Sequence, residues 1–324
     1  MKKKIRVLFS GAGGSGATGI INGLRASGRY WIVAVDANRY SAGLYLADYG
    51  EVVPLVTHKD YFKRIKRLMD RHKIDVYMPL IEEELLPAYD FIKYNPGITL
   101  ILPRREFTDL VLNKYNMVKA FQQAGINCPA TYLDREIDKN TFRNKLFLKP
   151  ISGRGSQGIA IIESKNDYVQ YFARQSTYKQ SDVILQQYIE GDEYTVSAVV
   201  GKKGWVYAVV PKKIIKKQGI TYSSVTEKNP LIDAVVRKIQ NIFRANGPFN
   251  VQLKIFKGKA YILEVNPRFS TTVVHTIAAG VNEIDCIIRD YLGIYDDKKV
   301  IPFKKGLVML RHFTQLYLPY SAIK

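Results

Sequence analysis

The sequence contains little cysteine and no long apolar run. Its two cysteines, Cys128 and Cys286, lie far apart and form no CxxC pair, so neither a disulfide framework nor a zinc site is expected. No stretch of about 18 uncharged apolar residues occurs, and we therefore expect no membrane span. The first apolar run is short and ends in glycines, which favours a strand over a signal peptide. Together these features predict a cytoplasmic protein.

Acidic side chains are also scarce. The chain has 29 acidic and 49 basic side chains and a formal net charge of +20. Such an excess favours anionic ligands, although a lysine-rich solvated surface explains it as well. The sequence has no zinc-finger spacing, no aromatic RNA-binding strand motif and no basic zipper. We therefore expect no nucleic-acid partner.

The hydrophobic pattern changes near residue 103. Before it, four predicted strands (IRVLFS, WIVAVD, DVYMPL and ITLILP) alternate with predicted helices, which indicates a parallel sheet covered by helices. A helix is predicted over 107–124. From Lys145 onward, short apolar runs between glycine and charged turns are typical of antiparallel hairpins, and a last strand is predicted over 306–318. We therefore expect an α/β domain followed by an α+β domain.

The run SGAGGSGATG, residues 10–19, lies between the first strand and the first helix. Its glycines match G-x-G-x-x-G, and Asp36 ends the next strand, which is the pattern of a dinucleotide site. An NAD(P)-dependent oxidoreductase is therefore one hypothesis, although it needs about six strands around the turn. The run lacks the Gly-Lys-Ser/Thr end of a Walker A loop. The alternative is that Gly13, Gly14 and Ser15 hold an acidic group of a substrate.

Lys149 ends the predicted strand KLFLKP, and the glycine-rich segment ISGRGSQGI follows at once. Backbone N–H groups of a glycine-rich hairpin can approach phosphates closely, and Lys149 adds a point charge. The next strand reads VILQQYI, whose backbone can face an adenine edge, and Glu193 follows it as a candidate acceptor for ribose hydroxyls. For each segment alone, a plain turn and an ordinary strand are the alternatives.

A predicted hairpin, NVQLKIFKGKAYILEVNPR, concentrates oxygen ligands on two neighbouring strands. Residues two apart on a strand share a face, so Glu264, Asn266 and Arg268 are expected side by side. Gln252 can join them from the partner strand. Carboxylate and amide oxygens suit Mg²⁺, and an adjacent arginine can neutralise charge on a transferred phosphoryl group. An ordinary strand ending in an Asn-Pro turn is the alternative.

These segments together resemble the ATP-grasp superfamily, in particular the synthetase halves of the carbamoyl-phosphate synthase large subunit and related carboxylate–amine ligases. The likeness in order, spacing and residue type extends from about Asn113 to about Gly280. It implies a Rossmann-like pre-ATP-grasp domain over 1–103 and an ATP-grasp domain over 104–324. Within the latter it implies a small ATP-binding subdomain at about 113–187 and a catalytic subdomain at about 188–324.

The resemblance also implies a role for each matching residue. ATP would be bound by Lys114, Lys149, Gly153, Arg154, Gly155, Ser156, Gly158, Gln186, Gln187, Tyr188, Ile189 and Glu193. Mg²⁺ (or Mn²⁺) would be held by Gln252, Glu264 and Asn266, and Arg268 with Lys149 would be catalytic. Many relatives have glutamate at the position of Gln186, so this amide is a departure from the family pattern.

The implied activity is that of an ATP-dependent carboxylate–amine ligase, with small-molecule carboxylate and amine substrates and, as an option, a homodimer. A non-catalytic basic module that binds an acidic polymer is the other alternative. Candidate substrate contacts are Gly13, Gly14, Ser15, Lys216, Lys217 and Ser270. The lysines of 212–217 are expected in a charged, solvated loop, or in a lid over an anionic substrate. The glutamates of 82–84 either begin a helix or meet an amine.

Overall fold

The apolar runs of the first hundred residues form one parallel sheet in a computed structural model, which describes residues 4–138, 140–153, 158–175, 177–295 and 298–324. Its strands are β1 (Ile5–Ser10), β2 (Tyr30–Asp36), β3 (Tyr49–Val52), β4 (Val76–Met78) and β5 (Thr99–Leu100), in the spatial order β3-β2-β1-β4-β5. The connecting helices are α1 (Ala17–Ala26), α2 (Gly43–Leu46), α3 (Tyr61–His72) and α4 (Glu82–Lys93). The expected α/β class is therefore confirmed for this part of the chain.

The prediction of four strands was wrong by one. The missed strand, β3, has the sequence YGEV and pairs only with β2, at the edge of the sheet. A short edge strand that is half polar shows no apolar run in the sequence, because only one of its two faces has to be buried.

Helices cover both faces of this sheet. Along β1 the side chains alternate, so Val7 and Phe9 pack on the side of α1, while Leu8 packs with Ile65 and Met69 of α3. This arrangement explains why the strands are apolar throughout, since both of their faces are buried.

The helix predicted over 107–124 is two helices, α5 (Arg105–Leu112) and α6 (Lys114–Gln123). Asn113 between them is extended, with φ −94° and ψ 103°. Its side-chain oxygen accepts the N–H of Asn116 at 3.0 Å and so caps α6. The break places Lys114 at the start of a helix rather than in its middle.

Two antiparallel sheets follow. The first has the order β6-β9-β7-β8, from β6 (Thr131–Tyr132), β7 (Leu146–Pro150), β8 (Ala160–Ile162) and β9 (Val183–Gln187), with α7 (Lys165–Arg174) against it. The second has the order β14-β13-β10-β11-β12-β15, from β10 (Asp192–Val200), β11 (Val206–Gln218), β12 (Ile220–Thr226), β13 (Phe249–Phe256), β14 (Lys259–Asn266) and β15 (Val308–Leu310). Its helices are α8 (Pro230–Phe243), α9 (Val273–Ala278) and α10 (Glu283–Tyr291). No helix of the described segments is long and apolar enough to cross a membrane.

Two expectations about the six-stranded sheet were wrong. Only Val308–Leu310 of the strand predicted over 306–318 is in the sheet, where it pairs with 223–225 of β12, and residues 312–318 beyond it are exposed. The lysines of 212–217, expected in a loop, lie on β11, which continues to Gln218.

The parallel sheet and the six-stranded sheet share one core. Val7 and Phe9 belong to the same buried cluster as Val210 of β11 and Ile287 of α10. Each sheet nevertheless uses strands from only one side of residue 103. We therefore keep the division into 1–103 and 104–324 as a proposal, with an extensive apolar interface between the two parts.

Glycine makes the contact between α1 and α9 possible. A Cβ at Gly19 would overlap the side chain of Val274, at 3.2 Å from its Cβ and closer still to one methyl group. We predict that Gly19→Ala lowers the free energy of unfolding by about 1–3 kcal/mol, because overpacking outweighs the better helix propensity of alanine. Urea denaturation measures the change. Gly97→Ala is the matched control, since nothing lies within 4 Å of its new Cβ, and equal stability of the two variants would contradict the prediction.

Candidate functional site

A cavity of about 750 Å³ lies between the four-stranded and the six-stranded sheet. Its walls include β7 and β9 on one side and β11, β13 and β14 on the other. The sequence-predicted residues that line it are Lys114, Lys149, Gly153, Gln186, Gln187, Tyr188, Ile189, Glu193, Lys217, Gln252, Glu264, Asn266, Arg268 and Ser270. Residues predicted separately as phosphate, base, ribose and metal contacts thus share one cavity.

Several residues that were predicted to contact ATP or substrate do not line this cavity or are not described by the structure. Gly158 and Lys216 lie outside the lining of this cavity. Gly158 has a φ of 65° and faces the ring of Tyr178, which accounts for a glycine there without a ligand. Arg154, Gly155 and Ser156 lie outside the described residues.

Lys149 is buried and bridges the two sheets. Its Nζ donates to Gln186 Oε1 at 2.9 Å and to the carbonyl oxygen of Leu263 at 3.0 Å. Burial lowers the pKa of Lys149 to about 8, and the nearby carboxylate of Glu264 opposes this shift. Gln186 in turn donates its amide to Thr131 Oγ1 at 3.0 Å. The neutral amide of Gln186 therefore orients the ammonium group of Lys149 without placing a negative charge beside it.

A β-bulge provides the second acceptor for Lys149. Gln252 is paired with Glu264, but the next residue, Leu253, is paired with Ile262, so Leu263 is the extra residue of β14. A bulge leaves the extra residue outside the regular ladder of hydrogen bonds, and here its carbonyl accepts from Lys149. Sequence reasoning missed Leu263, since nothing in AYILEVN indicates a bulge.

Lys114 holds the entrance of the glycine-rich loop. Its Nζ donates to the carbonyl oxygen of Gly153 at 3.0 Å. The N–H of Gly153 donates to Glu82 Oε1 at 2.9 Å, and the φ of Gly153 is 124°, which favours glycine. Glu82 is therefore a loop anchor in this structure rather than an amine contact. Glu84 is fully buried, where it accepts hydrogen bonds from Ser10, Tyr61 and Tyr77.

The predicted adenine hinge has part of its backbone already paired. The N–H of Gln187 donates to the carbonyl of Ala130 at 2.8 Å, and that of Tyr188 donates to Lys145 at 2.9 Å. Lys254 donates to the carbonyl oxygen of Ile189 at 2.7 Å. Recognition of a base by this hinge is therefore limited to its other backbone groups.

The oxygen ligands face one another across β13 and β14. Gln252 is directly opposite Glu264, and Asn266 lies two residues beyond Glu264 on the same strand. Among the described residues, no group of three or more His, Cys, Asp or Glu side chains is arranged to hold a metal. One carboxylate with two amides fits a Mg²⁺ ion whose coordination is completed by phosphate oxygens and water. The donor set therefore fits the predicted cofactor only in the presence of a nucleotide.

Lys217 points into the cavity from β11. Its Nζ lies 2.6 Å from Glu193 Oε1 and 3.5 Å from Gln252 Oε1. Glu193, whose carboxylate was predicted to accept ribose hydroxyls, is thus already in an ion pair with Lys217. A ribose at this site would therefore share Glu193 with Lys217.

Lys212, on the same strand, is a structural residue. It is 0% exposed, and its Nζ donates to Ser197 Oγ at 2.8 Å and to Thr276 Oγ1 at 2.7 Å. Burial lowers the pKa of Lys212 to about 8, and the carboxylate of Glu283 opposes the shift. The expectation of a solvated lysine segment was wrong here, since β11 carries Lys212 into the core under α9.

A second cavity, of about 600 Å³, lies at the carboxyl ends of the parallel strands. Gly13 and Gly14 line it, as predicted for a substrate contact, but their amides are engaged. The N–H of Gly13 donates to Asp36 Oδ2 at 2.7 Å, and that of Gly14 donates to the carbonyl of Gly11 at 2.9 Å. A carboxylate already occupies the turn, which disfavours both a dinucleotide phosphate and an acidic substrate group there.

The two cavities meet at one short segment. Arg268, Ser270 and Thr271 line both of them. The guanidinium of Arg268 donates to the carbonyl oxygen of Phe269 at 3.0 Å and lies 3.4 Å from Asn266 Oδ1. Arg268 is thus held between the oxygen ligands and the second cavity.

Arg311 links the walls of both cavities by hydrogen bonds. Sequence reasoning did not predict this role. Its guanidinium donates to three backbone carbonyls, those of Ser15 at 2.9 Å, Thr271 at 3.1 Å and Thr221 at 3.1 Å. These carbonyls belong to the glycine turn, the shared segment and β12. In the sequence, Arg311 is only one polar position of an apolar run, so no local signal identifies it.

Comparison with known proteins identifies the family of this chain. A family model described as an ATP-grasp domain matches residues 111–272, and a model described as a PylC-like N-terminal domain matches residues 19–89. The chain belongs to the ATP-grasp family. The resemblance inferred from the motifs is therefore confirmed at the level of the superfamily.

Two curated relatives show how distant the similarity is. The chain is 23% identical over 283 residues to the formate-dependent phosphoribosylglycinamide formyltransferase of Prochlorococcus marinus (strain NATL2A), with 82% of this chain and 71% of that protein covered. It is 24% identical over 197 residues to the carbamoyl phosphate synthase large chain of Pseudothermotoga lettingae, with 55% of this chain and 18% of that protein covered.

Solved structures share the ATP-grasp fold. An N5-carboxyaminoimidazole synthetase from Staphylococcus aureus, complexed with ADP, has a TM-score of 0.74 at 15% identity, with 96% of this chain and 83% of that chain covered. The biotin carboxylase domain of 2-oxoglutarate carboxylase from Hydrogenobacter thermophilus has a TM-score of 0.73 at 17% identity, with 94% of this chain and 72% of that chain covered. The latter was solved as a dimer with MgADP, ADP and bicarbonate.

The lowered pKa of Lys149 predicts a pH dependence of ATP binding. The ammonium form attracts phosphate, so affinity should fall as pH rises through about 8. Gln186→Glu places a carboxylate beside Nζ, which should raise the pKa of Lys149 by about 1 unit or more and move the loss of affinity to higher pH. Calorimetric titration with ATP between pH 7 and 10 measures this shift. Lys145→Gln, at a lysine outside the cavity lining, is the control, and an unchanged profile in Gln186→Glu would refute the prediction.

Loss of Arg311 should weaken the connection between the segments that form the walls of the two cavities. We predict that Arg311→Ala lowers the free energy of unfolding by about 2 kcal/mol, since three carbonyls lose a charged donor. Arg237→Ala, which removes an exposed ion pair with Asp233 on α8, should cost less than about 0.5 kcal/mol. Chemical denaturation compares the two, and a smaller loss for Arg311→Ala than for the control would be evidence against this role.

Proposed function

We propose that this ATP-grasp protein is an ATP-dependent carboxylate–amine ligase that works through an acyl phosphate. The observation that carries the proposal is the junction of the two cavities at Arg268 and Thr271. One cavity is lined by lysines and by oxygen ligands, as a nucleotide with its metal requires. The other opens from the same arginine, where a second substrate can meet the transferred group.

The nucleotide side supports binding of ATP by charge. Lys114, Lys149 and Lys217 line the cavity and can attract the phosphates. Magnesium bound with the phosphates would neutralise charge on their oxygens, and Gln252, Glu264 and Asn266 would hold it. The predicted roles of Glu193 and of the hinge residues remain part of the proposal.

The proposed reaction has two steps. An oxygen of the substrate carboxylate attacks the γ-phosphorus, the bond from that phosphorus to ADP breaks, and an acyl phosphate forms. The nitrogen of the amine then attacks the acyl carbon, the bond to phosphate breaks, and the nitrogen loses a proton. The name of the P. marinus relative records dependence on formate, itself a carboxylate.

The side chains contribute position and charge rather than a covalent bond. Arg268 would neutralise charge on the transferred phosphoryl group, and Lys149, which is held by two acceptors, would add a second positive charge. Aligning two substrates in joined cavities accounts for much of the acceleration that such a ligase needs.

A screen of phosphate release tests the proposal. Mg-ATP is incubated with pools of amino acids and small carboxylates, and the products are identified by mass spectrometry. We expect ADP, phosphate and an amide in a combination that requires both substrates. Glu264→Gln and Arg268→Ala should each reduce turnover at least about 100-fold while leaving the melting temperature nearly unchanged.

Two surface variants control for the change in charge. Glu106→Gln and Arg237→Ala alter exposed ion pairs outside both cavities and should retain turnover. Full activity of Glu264→Gln and Arg268→Ala would refute the assigned site. Titration with NADH separates the oxidoreductase alternative, and salt-dependent binding of an acidic polymer without ATPase activity would favour the non-catalytic alternative.

A further inference from the structure

Exposed apolar side chains are concentrated in residues 308–320, which we call the apolar segment. It begins with β15, at the edge of the six-stranded sheet, and continues beyond it without regular secondary structure as far as Pro319. Its aromatic side chains Phe313, Tyr317 and Tyr320 are 74%, 86% and 77% exposed. Since an aromatic side chain presents about 150–250 Å², these three expose roughly 350–600 Å², comparable with the largest apolar patch of a typical monomer. The exposed apolar side chains of the segment are Val308, Leu310, Phe313, Leu316, Tyr317, Leu318 and Tyr320.

The chain is bound to other parts of the protein at both ends of the apolar segment. Near its start, Arg311 donates hydrogen bonds to carbonyls of β12 and of the glycine turn. Just after it, Arg39 donates to the carbonyl oxygen of Ile323 at 3.3 Å, and Lys324 donates to the carbonyl oxygen of Gly50. The exposure is therefore that of a segment held across the surface, and it is not the fraying of a terminus.

The charge around the apolar segment has one sign. Residues 298–324 contain six basic and no acidic side chains, and residues 313–323 contain no charged side chain. Lys304 and Lys305 are exposed in the turn before β15. Thr226 Oγ1 donates to the carbonyl oxygen of Lys304 at 2.6 Å, so this turn is fixed beside the segment. An uncharged apolar stretch thus lies between basic positions.

This distribution of charge favours an anionic partner over a second copy of the chain. Each copy carries a formal net charge of +20, and two copies that met at this segment would bring their basic side chains together. A surface of anionic phospholipids attracts the same side chains. It also accepts exposed aromatic and aliphatic side chains at the boundary between headgroups and acyl chains, where no complementary groove is needed.

We propose that the apolar segment attaches the protein to the surface of a membrane that contains anionic phospholipids. Phe313, Tyr317 and Tyr320 enter the interface, and Lys304 and Lys305 contact the phosphates of the headgroups. The backbone of the segment stays at the level of the headgroups, where water can satisfy its polar groups. This inference is independent of the ligase function, since it uses neither cavity.

Sedimentation with lipid vesicles tests the proposal. The full chain, without nucleotide, is mixed with vesicles of phosphatidylcholine alone or with about 30% phosphatidylglycerol, at about 0.1 M salt. We expect binding to the anionic vesicles at least about tenfold stronger than to the neutral ones. Tyr317→Ser should weaken it at least about fivefold, because an interfacial aromatic side chain is lost. Lys304→Gln/Lys305→Gln should weaken it at least about tenfold.

Each variant has a matched control elsewhere on the surface. Tyr94→Ser removes an aromatic side chain that is 84% exposed, at the end of α4. Lys257→Gln/Lys259→Gln removes two exposed lysines at the turn between β13 and β14, at the opposite edge of the sheet from β15. Both controls should bind the anionic vesicles within about twofold of the wild type, although the second has the same change in net charge as the lysine variant.

Three results would overturn the proposal. They are failure of the full chain to bind anionic vesicles, equal binding to neutral vesicles, and equal binding by Tyr317→Ser and Tyr94→Ser. Light scattering at several protein concentrations tests the competing partner. A dimer that Tyr317→Ser dissociates would assign the segment to a second copy of the chain and would equally overturn the membrane proposal.

Discussion

The buried ammonium group of Lys149 joins the two antiparallel sheets that form the larger cavity. A buried cation needs hydrogen-bond acceptors, and it finds one on each sheet, at Gln186 and at Leu263. The acceptor at Leu263 is available because a bulge removes that residue from the ladder between β13 and β14. The same bulge follows the pair of Gln252 and Glu264, so the position of the cation and that of the oxygen ligands are coupled.

A second group of contacts positions the residues at the other end of the cavity. Glycines on α1 let the helix lie against α9, and the segment that leads into α9 carries Arg268 to the boundary between the cavities. Arg311 adds bonds from the last part of the chain to the glycine turn and to Thr271. The shared apolar core lies behind these contacts. In the proposed reaction it would fix the position of a substrate at the parallel sheet relative to the nucleotide.

The two cavities differ in the charge of their linings. Lysines line one, and the acidic side chains of Asp36 and Glu83 line the other. This division is local, since the overall charge of the chain attracts anions to the whole surface. Lys217, paired with Glu193, and Lys212, buried under α9, are examples of lysines whose neighbours decide their role.

The sequence by itself determined the α/β and α+β classes, the superfamily and many of the residues that line the larger cavity. These depend on short-range periodicity and on motif spacing, which a single chain displays directly. It did not determine that the glycine turn is occupied by Asp36, that Leu263 is a bulge, or that Arg311 joins the cavities. Those features depend on contacts between residues far apart in the chain, such as the 296 positions from Ser15 to Arg311, and only the tertiary structure brings such residues together.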